Sequence, residues 1–262
     1  MFNLTPMVRN LLFLNLGMML LTSAVMPSLQ AWLALYPVQS ELFQPYQLIT
    51  YMFLHSGLMH IFSNMFGLIS FGPMLEQRWG EKRFLLFWMV CGVGAGLIYS
   101  GIRYYELSQM YDAVQAFRAA PSGTAFSDFF RDYAPAYADA ATAVARDLQQ
   151  HATDPDKVNG ALSTLNAIYE QALNGPMVGA SGALFGVLLA FAYLFPNTEL
   201  MLLFFPFPIK AKYFVALYGI YELYAGVERN PGDNVAHFAH LGGMLFGFLL
   251  LKYWEKRHSR FY

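Results

Sequence analysis

Six stretches of this chain are apolar for about the length that crosses a bilayer core, and no other feature limits its fold as severely. They fall near residues 9–27, 57–75, 83–102, 177–195, 210–228 and 237–253. Leu200 to Phe207 is apolar but too short to span and is broken by Pro206 and Pro208, so it reads as an interfacial segment entering the fifth span. Charged residues make up 13% of the chain, against roughly 25% in soluble domains. The expected fold is therefore a single all-α membrane domain over residues 1–262, a bundle of six transmembrane helices with the lipid bilayer as its solvent. A net charge of −1 offers nothing to nucleic acid as a partner. Cys91, the lone cysteine, sits in the apolar run from Trp88 to Gly92 and reads as a small buried hydrophobe. The first apolar run, Leu11 to Met26, has no clear small-x-small cleavage site and is followed by further spans, so it reads as an uncleaved helix.

Lysine and arginine placement gives an orientation. Ten of the sixteen cluster at alternate ends of the spans: Arg9; Arg78, Lys82 and Arg83; Lys210 and Lys212; Lys252, Lys256, Arg257 and Arg260. The opposite loop from Pro27 to Ser56 holds none. Both termini are expected in the cytoplasm.

The connection between spans three and four, residues 103–176, is long, polar and alanine-rich, with five basic and nine acidic residues. Asp154-Pro155 supplies a cap and a first-turn proline. Val158, Leu162, Leu165, Tyr169 and Leu173 then recur at helical spacing, and Gly175-Pro176 ends the pattern. The segment reads as a set of amphipathic helices outside the membrane on the extracytoplasmic side, serving as a structural cap or as a surface for substrate gating or a partner.

Polar groups within a bilayer are costly, which makes those inside the spans candidates for function. At the start of the fourth span, Gly179-Ala180-Ser181-Gly182-Ala183-Leu184-Phe185-Gly186 sets a serine among small residues. The helix N-terminus there offers unpaired amides. Alone, such a serine is equally a packing residue. The sixth span opens Ala239-His240-Leu241-Gly242-Gly243, and Gly243 and Gly247 share the helix face of His240. Glycines beside serine and histidine would let the two helices approach closely enough for a hydrogen bond. In the second span His60 and Asn64 stand four apart on one face, able to donate two hydrogen bonds to a developing oxyanion. His237, one turn before His240, could pair with it as a metal ligand, but no carboxylate is expected to complete the set, and no metal is expected. Glu222 in the fifth span could be a catalytic third member or a proton site, but it reads rather as a residue bonded to a neighbouring helix and is left out of the catalytic set.

Taken together, these three constellations resemble the rhomboid family of intramembrane serine proteases, over all six spans. The resemblance implies that Ser181 is a nucleophile and His240 its general base, working as a dyad without any cofactor. It also implies that His60, Asn64 and the Ser181 amide form an oxyanion hole. Gly179 and Gly182 would leave room for a substrate backbone, and Phe185 would stack on the base. Glu76-Gln77-Arg78 matches a structural E-x-R motif on the cytoplasmic side. Three departures stand out. A Trp-Arg pair usual in the first external loop reads Tyr46-Gln47, Phe185 lacks a hydroxyl that the stacking residue often carries, and the 103–176 insertion has no counterpart.

The function implied is endoproteolysis of transmembrane protein substrates near the outer face of a membrane, with a bacterial inner membrane as the expected location. Two other classes stay open. A silent binding or quality-control factor would keep the bundle, although such relatives usually lack the serine or the histidine. A transporter would use Glu222, His237 and the polar second span, but no internal repeat supports it.

Overall fold

Within hydrocarbon, backbone amides and carbonyls find partners only inside the chain, so apolar runs of this length fold as helices. The computed structural model describes residues 4–202, 205–228 and 235–257. Arg260 of the basic clusters lies outside them. Helix α1 (Pro6–Leu20) continues through one π-helical turn to Val25. The first long loop carries the short helices α2 (Ser28–Leu33) and α3 (Gln47–Thr50). Then follow α4 (Leu58–Trp79), α5 (Glu81–Ala119), α6 (Gly123–Tyr133), α7 (Ala138–Gln150), α8 (Pro155–Leu173) and α9 (Ser181–Leu194). A hairpin of β1 (Glu199–Leu202) and β2 (Phe205–Lys210) leads into α10 (Ala211–Glu228) and α11 (His237–Arg257).

The all-α membrane bundle is present. Helices stand at each expected span, and among the described residues Pro6–Val25, Leu58–Trp79 and Glu81–Ala119 are long and apolar enough to cross a bilayer by themselves. Helix α9 is only 14 residues and is buried on nearly all sides, as an all-round apolar helix at the centre of a bundle must be. It packs against α4, α5, α10 and α11.

Three boundaries differ from expectation. The fourth helix begins at Ser181 rather than 177, because Met177 pairs with Leu35 in an antiparallel bridge and Gly179 takes a φ of 134°. The third runs unbroken to Ala119, well beyond residue 102. Its extension places Leu107, Met110, Val114 and Phe117 on one buried face. The segment around Leu200–Phe207 forms the hairpin, with Glu199 opposite Lys210 and Leu200 opposite Ile209. Pro206 and Pro208 exclude a helix here, and a two-stranded ribbon, all edge, tolerates them.

The insertion has a core of its own, in which the α5 extension meets Phe126, Phe129 and Phe130 of α6, Leu148 of α7 and Leu165 of α8. Capping follows the sequence: Ser122 Oγ accepts from Ala125 N at 3.1 Å, and Asp154 Oδ1 accepts from Asp156 N at 3.0 Å. At its base Arg103 Nη2 donates to Ala172 O at 2.9 Å. The first loop is tied to the same place, with Gln39 Nε2 donating to Tyr104 O at 2.9 Å and Ser40 Oγ to Asn174 Oδ1 at 2.7 Å. The insertion, the first loop and the start of α9 thus meet at one end of the bundle.

Glu76 organises the other end. Its buried carboxylate accepts from Thr5 Oγ1 at 2.5 Å and from the amides of Met7 and Val8, both at 2.8 Å. Those amides are orphan donors of the first turn of α1, where negative charge is favoured. Arg78 lies over the Phe195 ring at 5.9 Å. In the first loop, neutral Gln47 is 1% exposed and spans it with its amide. Nε2 donates to Trp32 O at 3.1 Å and Leu42 O at 3.0 Å, and Oε1 accepts from Gln44 N at 3.1 Å. Buried hydrogen bonds hold this loop where Tyr46-Gln47 stands in place of the usual Trp-Arg pair.

Helices α9 and α11 touch along a glycine seam. A Cβ on Gly243 would lie 1.8 Å from the carbonyl oxygen of Gly182, and one on Gly247 would lie 3.2 Å from Gly186 Cα. On its other side, a Cβ on Gly182 would fall 2.4 Å from the Ala95 methyl of α5. Backbones are in contact here, as small residues permit in membrane bundles.

Two stability outcomes follow. Gly243→Ala should lower the thermal midpoint in detergent, costing about 1–3 kcal/mol or more because the obstacle is backbone. Gly219→Ala, which meets only the end of the flexible Met244 side chain, its methyl at 3.3 Å and its sulfur at 3.6 Å, should not lower it; equal losses would contradict the seam. Phe117→Ala should cost the insertion about 3–5 kcal/mol. It should speed limited proteolysis within 120–155 while sparing the membrane helices, and unchanged proteolysis would show that the insertion does not depend on this core.

Candidate active site

The seam fixes where Ser181 and His240 stand, since each lies close to one of its glycines. Ser181 is the first residue of α9 and half-buried, while His240, in the first turn of α11, is 7% exposed. His240 Nε2 is 2.8 Å from Ser181 Oγ. One turn along α9, the Phe185 ring stacks on the imidazole with centroids 4.1 Å apart and planes within 6°. Tyr218 of α10 stands edge-on to Phe185 at 4.8 Å. The imidazole plane is held by packing, and its Nε2 is aimed at the hydroxyl.

Chain entry into α9 opens space beside that hydroxyl. Gly179 adopts a left-handed φ of 134°, and its amide donates to Tyr51 O at 3.0 Å. A Cβ there would lie 2.8 Å from Cε1 and Nε2 of His60 and 3.7 Å from Ser181 Oγ. Gly179 is therefore where the His60 ring and the serine come nearest to a common point. Ser56 Oγ lies 3.0 Å from His60 Nδ1, and His55 packs edge-on against the His60 ring at 5.1 Å. With Nδ1 engaged by Ser56, Nε2 is the nitrogen facing the Gly179 side. One turn on, Asn64 is 3% exposed, and its Nδ2 has no hydrogen-bond partner among the described residues. A buried amide donor left unpaired is costly and calls for a ligand. The first amides of α9 point the same way in kind, since a helix start leaves its N–H groups without internal partners.

Beyond His240 lies a carboxylate that the sequence did not place there. Glu222 of α10 is 2% exposed. Its Oε2 is 2.8 Å from Nδ1 of His240 and 2.6 Å from Nδ1 of His237. The expectation that no carboxylate completes a ligand set with the two histidines is thereby overturned: the donor atoms of Glu222, His237 and His240 lie within 4.8 Å of one another. Glu222 is brought in from another helix, which spacing within α11 cannot reveal. The distances nevertheless fit shared protons better than a shared ion. Ligands of one tetrahedral zinc, bonded at about 2.0–2.2 Å, stand about 3.3 Å apart, farther than either nitrogen is from Oε2.

The structure thus gathers Ser181, His240, Phe185, Gly179, Gly182 and His60 at one end of the bundle, with Asn64 buried one turn below His60. Sequence reasoning missed three supporting groups: His55 and Ser56 behind His60, and Tyr218 behind Phe185. Each is an ordinary residue whose role arises from a tertiary neighbour. Tyr218 stands four residues before Glu222 and so shares its face of α10, which is the only signal in the sequence that could have found it.

A model of the Rhomboid domain matches residues 42–111 and 158–256, well over half of the chain. It passes over 112–157, the distal part of the insertion. The chain is 28% identical over 231 residues to an uncharacterised mitochondrial rhomboid protein of Schizosaccharomyces pombe, covering 84% of this chain and 55% of that one. It is 41% identical over 93 residues to the mitochondrial rhomboid protein 1 of Saccharomyces cerevisiae, covering 34% of this chain and 26% of the relative. To the mitochondrial RHOMBOID-like protein 6 of Arabidopsis thaliana it is 40% identical over 55 residues, 21% of this chain and 18% of that one. The chain thus spans about half the length of the first relative and less of the others. These mitochondrial relatives give no support to a bacterial inner membrane or to a specifically bacterial type. The matched segments contain every residue of the constellation just described, in a protein integral to the membrane, and on that evidence the chain belongs to the rhomboid family.

Proposed function

We propose that this protein is an intramembrane serine endopeptidase that cleaves transmembrane protein substrates near the membrane face where Ser181 opens. The observation that carries the reading is the 2.8 Å contact between Ser181 Oγ and His240 Nε2 at the mouth of an apolar bundle. His240 takes the hydroxyl proton as Oγ attacks the scissile carbonyl, and returns it to the leaving amine when the C–N bond breaks. Water entering at the half-buried end of α9 then attacks the acyl-enzyme, with His240 again as base. His60 Nε2, Asn64 Nδ2 and the Ser181 amide are the donors for the oxyanion. The unpaired Asn64 Nδ2 supports this role, because the transition state supplies the acceptor that the resting protein lacks. No metal or organic cofactor enters the reaction.

Basic residues at alternate span ends support both termini on one side of the membrane, with the 103–176 insertion and Ser181 on the other. Substrates in this reading are single-span proteins whose helix unwinds readily and presents a small residue at the cut. Gly179, whose missing Cβ faces His60 and Ser181, gives an extended backbone access to the serine, whereas Gly182 is packed against Ala95 and Gly243 and serves the seam instead. The insertion, tied to the start of α9 through its base, is placed to meet substrate or partner before either reaches the site.

In purified protein, Ser181→Ala and His240→Ala should each abolish cleavage of a reporter while leaving the fold intact. The double variant should be barely worse than either, because the two act as a unit. His237→Ala should keep measurable activity. Asn64→Ala should lower kcat by about 10²–10³. Substantial residual proteolysis by Ser181→Ala would end this reading, and full activity in Asn64→Ala would remove that side chain from the oxyanion hole.

A further inference from the structure

Glu222 is the one carboxylate among the described residues that touches the imidazole facing Ser181. Its neighbours on α10, Tyr221, Leu223 and Tyr224, are all more than half exposed, whereas Glu222 is 2% exposed. The helix therefore presents this residue alone of the four to the interior. A buried carboxylate without donors is strongly unfavourable, and both donors here come from the same helix, His240 and His237.

We infer that Glu222 positions His240, extending the pair to a Ser181–His240–Glu222 triad of fixed tautomer, with His237 clamping the carboxylate. This inference rests on the proteolytic reading above and adds a third residue to it. An ionised carboxylate only accepts hydrogen bonds, so Oε2 at 2.8 Å places the His240 proton on Nδ1. Nε2 is then left with its lone pair, 2.8 Å from Ser181 Oγ. That is the tautomer a general base needs, and the opposite one cannot accept the serine proton. Phe185 sets the plane of the ring, and Glu222 sets which nitrogen carries the hydrogen.

The carboxylate acts again during reaction. When Ser181 Oγ forms its bond to the substrate carbon, its proton moves to Nε2 and His240 becomes a cation. The Nδ1 proton stays where it is and Glu222 remains ionised, so charge develops beside an existing opposite charge in a site of low dielectric. His237, at 2.6 Å from the same oxygen, fixes that carboxylate against α11. Glu222 touches neither substrate nor the reacting atoms in this scheme, so its effect passes through His240.

The test is steady-state kinetics on the full chain in detergent. Glu222→Gln keeps the volume but replaces an obligate acceptor with a group that can donate. It should lower kcat by at least about 100-fold with KM within about threefold of wild type. Glu222→Asp, which restores the carboxylate on a shorter arm, should recover about tenfold or more of that loss. His237→Ala should fall between wild type and Glu222→Gln. If Glu222→Gln does not fold, Glu222→Asp decides by the same split, with lowered kcat at unchanged KM in support and wild-type kcat against. Ser181→Ala runs alongside. Activity in Ser181→Ala would defeat the proteolytic reading itself. An inactive Ser181→Ala beside a Glu222→Gln of wild-type kcat would overturn only the role of Glu222. A loss in Glu222→Gln that appears wholly in KM, or that Glu222→Asp does not relieve, would also overturn it.

Discussion

The contact on which the rest of this structure depends is backbone against backbone, where the Gly182 carbonyl of α9 occupies the space that any side chain at position 243 would need. With two ordinary residues at that crossing, α9 and α11 would stand a side chain apart, and the 2.8 Å bond between Ser181 and His240 could not form. The same closeness lets Phe185 reach the imidazole face. Since α9 is buried on nearly every side, it cannot shift to relieve a larger residue without disturbing α4, α5 and α10 as well. Packing of the smallest residues thus fixes the most polar part of the core.

Polar groups buried in this apolar protein are satisfied by position rather than by number. Glu76 is answered by first-turn amides of α1, Gln47 by loop carbonyls and amides, and Glu222 by two imidazoles. Glu76 and Glu222 each join two helices and Gln47 closes the first loop on itself, so each does for tertiary structure what the apolar surface, equally content in lipid, does not. Asn64 Nδ2 and both ring nitrogens of His55 lack hydrogen-bond partners among the described residues, as do Asn15 Oδ1, Gln39 Oε1, Trp88 Nε1, Ser100 Oγ and Arg103 Nε. Of these, His55 packs edge-on against the His60 ring and Asn64 lies one turn beyond His60 on α4.

Much of this was legible in the sequence because the informative residues are periodic or adjacent. His60 and Asn64 share a helix face by spacing, Gly243 and Gly247 mark the face of His240, and Ser181 lies in an unbroken small-residue run. The cap at Asp154 and the apolar stripe of α8 were likewise local. What escaped depends on contacts between elements. Glu222 lies 15 and 18 residues from its two histidines, on a different helix, and no periodicity connects them. The start of α9 at Ser181 is set by Leu35, pairing with Met177 across the chain. Helix α5 continues past its membrane span because Leu107, Met110, Val114 and Phe117 find a core in the insertion. Hydropathy alone registers the end of the apolar run and not that second core. Cellular location left no trace in the packing at all.

The central claim is that Ser181 is activated by His240, and covalent capture tests it most directly. The full chain in detergent would be treated with a fluorophosphonate, and the adduct mapped by peptide mass spectrometry. The account predicts a single modified residue, Ser181, with labelling in the wild type and none in folded His240→Ala. Labelling at a different residue, or labelling of Ser181 at the same rate without His240, would contradict it.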